Sequence, residues 1–90
     1  MALQIINAPD SDAGETAADM KQRIEAAIEG AEVEVRPQGP GHFEITVRSS
    51  AFEGLNRVKQ QQLVYGPIAE LMSGPEAPVH AIDKMECEVP

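Results

Sequence analysis

The apolar residues in the first third of the chain recur at helical spacing. This pattern predicts an amphipathic helix, with Thr16 as its hydroxyl cap and Gly30 as its left-handed stop. Its apolar stripe consists of Met20, Ile24, Ala27 and Ile28. The residues before Thr16 are rich in Pro, Asp, Ser and Gly, so we expect residues 1–15 to be a flexible lead-in and residues 16–90 to be the folded domain.

After Gly30 the period of the apolar positions changes to two. Apolar side chains alternate with charged ones over residues 31–36 and again over residues 43–48, which predicts two strands that are each buried on one side. Residues 37–41 between them hold two prolines and two glycines. Neither strand is expected to continue through this segment, so the pair is predicted to form a β-hairpin.

Helical spacing returns after Asn56, a residue that suits a helix cap. The stripe of this second helix comprises Leu63, Val64, Ile68, Leu71 and Met72, and Pro67 within it predicts a kink or break. A last strand is predicted over residues 79–89, with Val79, Ala81, Met85 and Cys87 on one side. The order helix, strand, strand, helix, strand predicts an α+β domain whose helices cover one face of a three-stranded sheet.

The composition indicates a small globular domain with an acidic surface. Ninety residues, 42% of them hydrophobic and 24% charged, are typical of one small globular domain. Seven Lys and Arg against fifteen Asp and Glu give a net charge of −8, which repels nucleic acid and anionic membranes. A single Cys fits a reducing compartment, and no apolar run approaches the ~20 residues that span a bilayer. We therefore expect a cytoplasmic protein that does not associate with membranes.

The two histidines are the residues best suited to bind a metal. His80 lies between Val79 and Ala81, and because successive side chains of a strand face opposite ways, its ring should be exposed or at a rim. Such an imidazole can bind a metal, although for an isolated His an ordinary surface role is equally common. His42 opens the second strand on its polar side, where a surface His beside a turn is the simpler interpretation. The two rings would face one site if the hairpin tip met the start of the last strand.

The sequence gives little support to catalysis. Cys87 lies between Glu86 and Glu88, whose charges disfavour its thiolate, so we expect a small core residue there. Seven residues of strand, about 23 Å, separate Cys87 from His80, which is too far for one metal site. The sequence contains no Walker loop, dinucleotide fingerprint, HExxH or CxxC motif. We expect that this chain is not an enzyme.

Four stretches of the sequence carry a family resemblance. They are His-Phe at 42–43, SSAFEG at 49–54, RVKQQQLVYGPI at 57–68 and VHAI at 79–82. Together they resemble the BolA family, in particular its shorter bacterial branch, over about half of the chain. The resemblance implies a class II KH-like fold, which agrees with the order of elements derived above. It also implies partnership with a monothiol glutaredoxin, with which family members share a [2Fe–2S] cluster in iron–sulfur trafficking or iron-linked regulation.

The same resemblance implies which residues bind the cluster. His80 matches the family's C-terminal ligand histidine. The second family ligand is a His or Cys in the loop between the first two strands, where this chain has neither, so His42 just beyond that loop is the candidate. The remaining ligands would be the active-site Cys of the glutaredoxin and the thiol of glutathione. We therefore expect no cluster in the isolated chain.

The alternative function is that of a DNA-binding regulator, because some family members are described as transcription factors. Residues 56–72 would then act as a region resembling a helix-turn-helix, with a basic patch of Arg48, Arg57 and Lys59. The net charge of −8 disfavours this alternative. An adaptor that binds its partner without metal is a third hypothesis, and the sequence leaves a homodimer open.

Overall fold

The computed structural model describes residues 9–90, with side chains from residue 13 onward. Its elements are helix α1 (Pro9–Ala27), strands β1 (Glu32–Gly39) and β2 (His42–Arg48), a 3₁₀ turn (Ser50–Phe52), helix α2 (Arg57–Ile68), a second 3₁₀ turn (Ala69–Met72) and strand β3 (Ala81–Glu88). The α+β order predicted from the spacing is confirmed. Across the described residues, neither helix is long and apolar enough to cross a bilayer.

Helix α1 extends further toward the N-terminus than the spacing predicted. It begins at Pro9, a residue type favoured in a first helical turn, so Thr16 lies inside the helix and is not its cap. The predicted lead-in overlaps α1 at residues 9–15, and its residues 1–8 lie outside the described residues. Ala27 is exposed instead of buried, whereas Gly30 follows the helix with a φ of 70°, as its predicted role as a stop requires.

The sheet has the order β1-β2-β3, so β2 is its central strand. β1 and β2 pair antiparallel as the predicted hairpin, and β3 pairs parallel to β2. The prediction that neither strand continues through residues 37–41 is wrong for the first strand, because β1 passes through Pro37 and ends at Gly39. Pro37 is tolerated because β1 is an edge strand whose register shifts between Pro37 and Gly39.

The core lies between the two helices and one face of the sheet. Its fully buried members come from every layer and include Met20, Ile24, Phe43, Ile45, Val47, Phe52, Val64, Ile68 and Val79. Leu63, predicted to belong to the apolar stripe of α2, is 39% exposed. The break predicted at Pro67 falls later, since α2 continues to Ile68 and then tightens into the 3₁₀ turn.

Strand β3 contains an irregularity that the alternation of side chains did not predict. Its register with β2 shifts between Phe43 and Glu44, so Asp83 is an extra residue without a partner on β2. The extra residue reverses the phase of the strand, and Ile82 packs with Met85 and Cys87 against the core. The prediction that Ala81 shares their side of the sheet is wrong for this reason.

Candidate metal-binding site

The tip of the hairpin meets the start of β3. The carbonyl oxygen of Gly41 accepts hydrogen bonds from the backbone N–H of His80 at 2.7 Å and of Ala81 at 3.0 Å. In the sheet register, His42 lies opposite Ala81. These contacts bring His42 and His80 to the same corner of the sheet, the arrangement on which a joint site depends.

His80 occupies this corner as an exposed side chain on a fixed backbone. Val79, directly before it, is fully buried and donates its backbone N–H to the carbonyl of Leu71 at 3.1 Å. The His80 ring itself is exposed, as predicted from the alternation. Within residues 13–90, its nitrogens take part in no side-chain hydrogen bond. A ring nitrogen is therefore available to an external ligand.

His42 is held by a neighbour that the sequence reasoning missed. Its Nδ1 lies 2.9 Å from Oδ1 of Asp83, and the two side chains are 48% and 42% exposed. In the tautomer in which Nδ1 carries the proton, the Nδ1–H group donates a hydrogen bond to Asp83, and Nε2 keeps a free lone pair. A histidine oriented by a carboxylate in this way is common among metal ligands. Asp83 reaches His42 from the irregularity in β3, and no spacing rule in the sequence signals that position.

Cys87 lies away from this corner. It is opposite Val47 in the register, five residues along β2 from His42, or about 16 Å. Burial raises the pKa of the Cys87 thiol, and the positive charge of Arg57 partly offsets that rise. The main cause of the raised pKa is thus burial, and not the charges of Glu86 and Glu88 that the sequence suggested.

The three cations predicted to bind nucleic acid lie on two elements, α2 and β2. Arg57 and Lys59 share the first turn of α2, after the Asn56 cap, whose side chain accepts from the N–H of Lys59 at 2.9 Å. Arg48 ends β2, opposite Glu32 on one side and Glu88 on the other. Cross-strand neighbours share a face of the sheet, so carboxylates flank Arg48.

The chemistry at the His42–His80 corner is that of imidazole ligands on a solvent-facing surface. In the part of the chain with described side chains, no group of three or more His, Cys, Asp and Glu residues is placed to hold a metal ion. This corner offers imidazole nitrogens on an exposed surface that another molecule can reach.

Comparison with known proteins shows what the chain is similar to. A family profile described as BolA-like protein matches residues 2–87. The acid stress protein IbaG of Escherichia coli (strain K12) is 40% identical over 50 residues, which are 54% of this chain and 57% of that protein. BolA-like protein 1 of Homo sapiens is 32% identical over 78 residues, which are 77% of this chain and 55% of that protein. The match thus spans little more than half the length of either relative.

Comparison with solved structures shows that BolA1 proteins have a similar fold. The solution structure of BolA1 from Mus musculus has a TM-score of 0.75 and 27% identity, and the match covers 100% of this chain and 77% of that chain. BolA1 from Arabidopsis thaliana has a TM-score of 0.68 and 25% identity, with coverage of 83% and 92%.

Proposed function

The chain belongs to the BolA-like protein family, and from that premise we propose that it is the partner of a monothiol glutaredoxin and shares a [2Fe–2S] cluster with it through His80. The observation that carries the proposal is the exposed His80 ring on a backbone fixed by Val79 and Gly41. A ligand shared between two proteins must be reachable from outside and yet fixed in direction, and His80 meets both conditions. The proposed role is non-enzymatic.

The donor chemistry of the corner fits a cluster of this kind. Imidazole is an established ligand to cluster iron, and it raises the reduction potential relative to thiolate. His80 would hold one iron, and His42, oriented by Asp83, is the second candidate from this chain. The glutaredoxin active-site Cys and the thiol of glutathione would complete the ligand set. The bound cluster would supply the electron-transfer and iron–sulfur delivery chemistry, while this chain's residues bind and orient it.

The test is reconstitution with a monothiol glutaredoxin, glutathione, ferrous iron and sulfide, followed by visible absorption and circular dichroism. The wild-type mixture is expected to give a heterocomplex whose visible spectrum changes in His80→Ala. His42→Ala is the companion variant, because it deletes the same ring from the second candidate ligand at the same corner. Far-UV circular dichroism of each variant checks the fold.

The outcomes separate the ligands. A spectrum that changes in both variants assigns both rings to the cluster, and one that changes only in His80→Ala leaves His42 outside it. A heterocomplex whose spectrum is unchanged in His80→Ala would remove His80 from the site. If the glutaredoxin and this chain form no complex at all, the partnership itself is wrong.

A further inference from the structure

Gly41 lies directly against the His80 ring. A Cβ built on Gly41 would come within 2.7 Å of Cγ, 2.8 Å of Cδ2 and 3.1 Å of Cβ of His80. The first two distances are far shorter than the contact between two carbon atoms, ~3.5–4.0 Å at its optimum. Two of these atoms, Cβ and Cγ, are the first atoms of the side chain. An added methyl group would therefore force the whole ring to move.

This contact is peculiar to Gly41. All seven glycines of the sequence fall in the described residues, and a Cβ added at any of the other six would meet nothing within 4 Å. The backbone of Gly41 acts on the same residue, since its carbonyl accepts from the N–H of His80 at 2.7 Å. One residue thus holds the backbone of His80 and leaves the space against which the face of its ring lies.

The direction of the ring follows from this packing. The side-chain atoms nearest to a Cβ built on Gly41 are Cγ, Cδ2 and Cβ of His80. Their distances place the built Cβ over the face of the imidazole and not beside its edge, so the plane of the ring lies against Gly41. An imidazole without hydrogen-bond partners would otherwise rotate among its side-chain rotamers and would be ordered only at an entropic cost when it binds.

We propose that Gly41 is a positioning residue for His80: the space left by its missing side chain fixes the orientation in which the imidazole is presented to the iron of the incoming cluster. The inference deepens the proposed function and rests on it for its biological meaning. The packing of the ring on Gly41 is testable in the chain alone.

The first experiment measures the packing without any metal. In the nuclear Overhauser spectrum of the wild-type chain, the Hδ2 proton of His80 should show a strong contact to the Hα protons of Gly41. In Gly41→Ala this proximity should be lost as the ring turns away. Absence of the contact in the wild type would overturn the proposal.

Stability measurements separate this packing from backbone strain. Gly41 has a φ of 76° and Gly54 a φ of 79°, so an alanine at either position meets similar strain, but Gly54 has open space around it. Gly41→Ala should raise the unfolding equilibrium constant about tenfold more than Gly54→Ala does, because overpacking destabilises the folded chain. In a His80→Ala background most of this excess should disappear. Equal losses in the two glycine variants, or an excess that persists without the ring, would contradict the role of Gly41.

The last experiment tests whether Gly41 affects the binding of the cluster. In the reconstituted mixture with glutaredoxin and glutathione, the visible circular dichroism of Gly41→Ala should depart from the wild-type spectrum toward that of His80→Ala. Gly54→Ala should give the wild-type spectrum. A normal spectrum in Gly41→Ala would overturn the positioning role. If no heterocomplex forms even with the wild type, the proposed function fails, while the two measurements on the chain alone still decide whether Gly41 orients the ring.

Discussion

The thiol of Cys87 is subject to two opposing influences on its protonation. Burial raises its pKa above the ordinary value of 9.0, and the positive charge of Arg57 acts in the opposite direction. Only the thiolate is an effective nucleophile, so a raised pKa slows reaction with alkylating reagents near neutral pH. The fold should therefore protect the single cysteine of the chain from alkylation.

Alkylation of Cys87 by iodoacetamide is expected to be slower in the folded protein than in the urea-unfolded chain, with a pH midpoint above 9.0. Arg57→Gln should move the midpoint further up, and Lys59→Gln is the matched control. Because the folded pKa is raised, the stabilisation from the protonated thiol is complete below the unfolded pKa and is lost as the pH rises through the folded value. A midpoint below 9.0, or equal shifts in both variants, would contradict this account.

The exposure of individual residues was easier to predict from the sequence than their contacts. His80 is exposed, as the alternation predicted, although the strand begins at Ala81 and not at Val79, so His80 lies just before β3. Its contact with Gly41 and the bond between His42 and Asp83 join residues that are about 40 positions apart in the sequence. Those contacts depend on the strand register and on the extra residue in β3, which local spacing does not encode.

Among the elements, Ser49 is the residue that joins three of them. Its hydroxyl donates to the carbonyl of Glu29, beyond the end of α1, at 3.0 Å and accepts from the N–H of Ala51 at 3.0 Å. Its own N–H donates to the carbonyl of Glu88, at the end of β3, at 2.9 Å. Ser49 is only 1% exposed, so its hydroxyl is shielded from water, and replacing it by alanine removes the bonds to Glu29 and Ala51.

Ser49→Ala is therefore expected to lower the free energy of unfolding by about 1–3 kcal/mol, because it removes two hydrogen bonds that contribute about 0.5–1.5 kcal/mol each. The neighbouring Ser50 is exposed and serves as the matched control. Ser50→Ala should stay within about 0.5 kcal/mol of the wild type. Urea unfolding curves with equal slopes provide the comparison. A Ser49→Ala curve that coincides with that of Ser50→Ala would show that the Ser49 hydroxyl does not stabilise the contact between these elements.

The type of each element was easier to predict than its ends. Hydrophobic periodicity gave the correct type for both helices and all three strands, because each buries one face against a common core. The predicted start of α1 was wrong because the polar residues before Thr16 were taken as a lead-in, and the predicted end of β1 was wrong because Pro37 was taken as a stop. Pro9 sits in a first helical turn and Pro37 on an edge strand, two places where the missing N–H costs little.

For the whole molecule, the distribution of charge limits which partners can bind. Of the seven cations, Arg23, Arg36 and Lys84 form ion pairs with carboxylates in the described structure. Arg48 lies between two glutamates, and the other three are Lys21 on α1 and the neighbouring Arg57 and Lys59 at the start of α2. With a net charge of −8, the surface as a whole repels a polyanion.

Gel-shift titration of a DNA duplex against ionic strength tests the alternative function. We expect no shift at a physiological ionic strength of about 0.15 M. Arg48, Arg57 and Lys59 together neutralise at most three phosphates, so any binding at low salt should follow a log–log slope no steeper than about −2.7. Replacing both Arg57 and Lys59 by Gln should abolish it. Binding that persists at physiological salt with a slope several times steeper would require a cationic surface that this charge distribution does not provide, and would favour a DNA-binding regulator over the partner of a glutaredoxin.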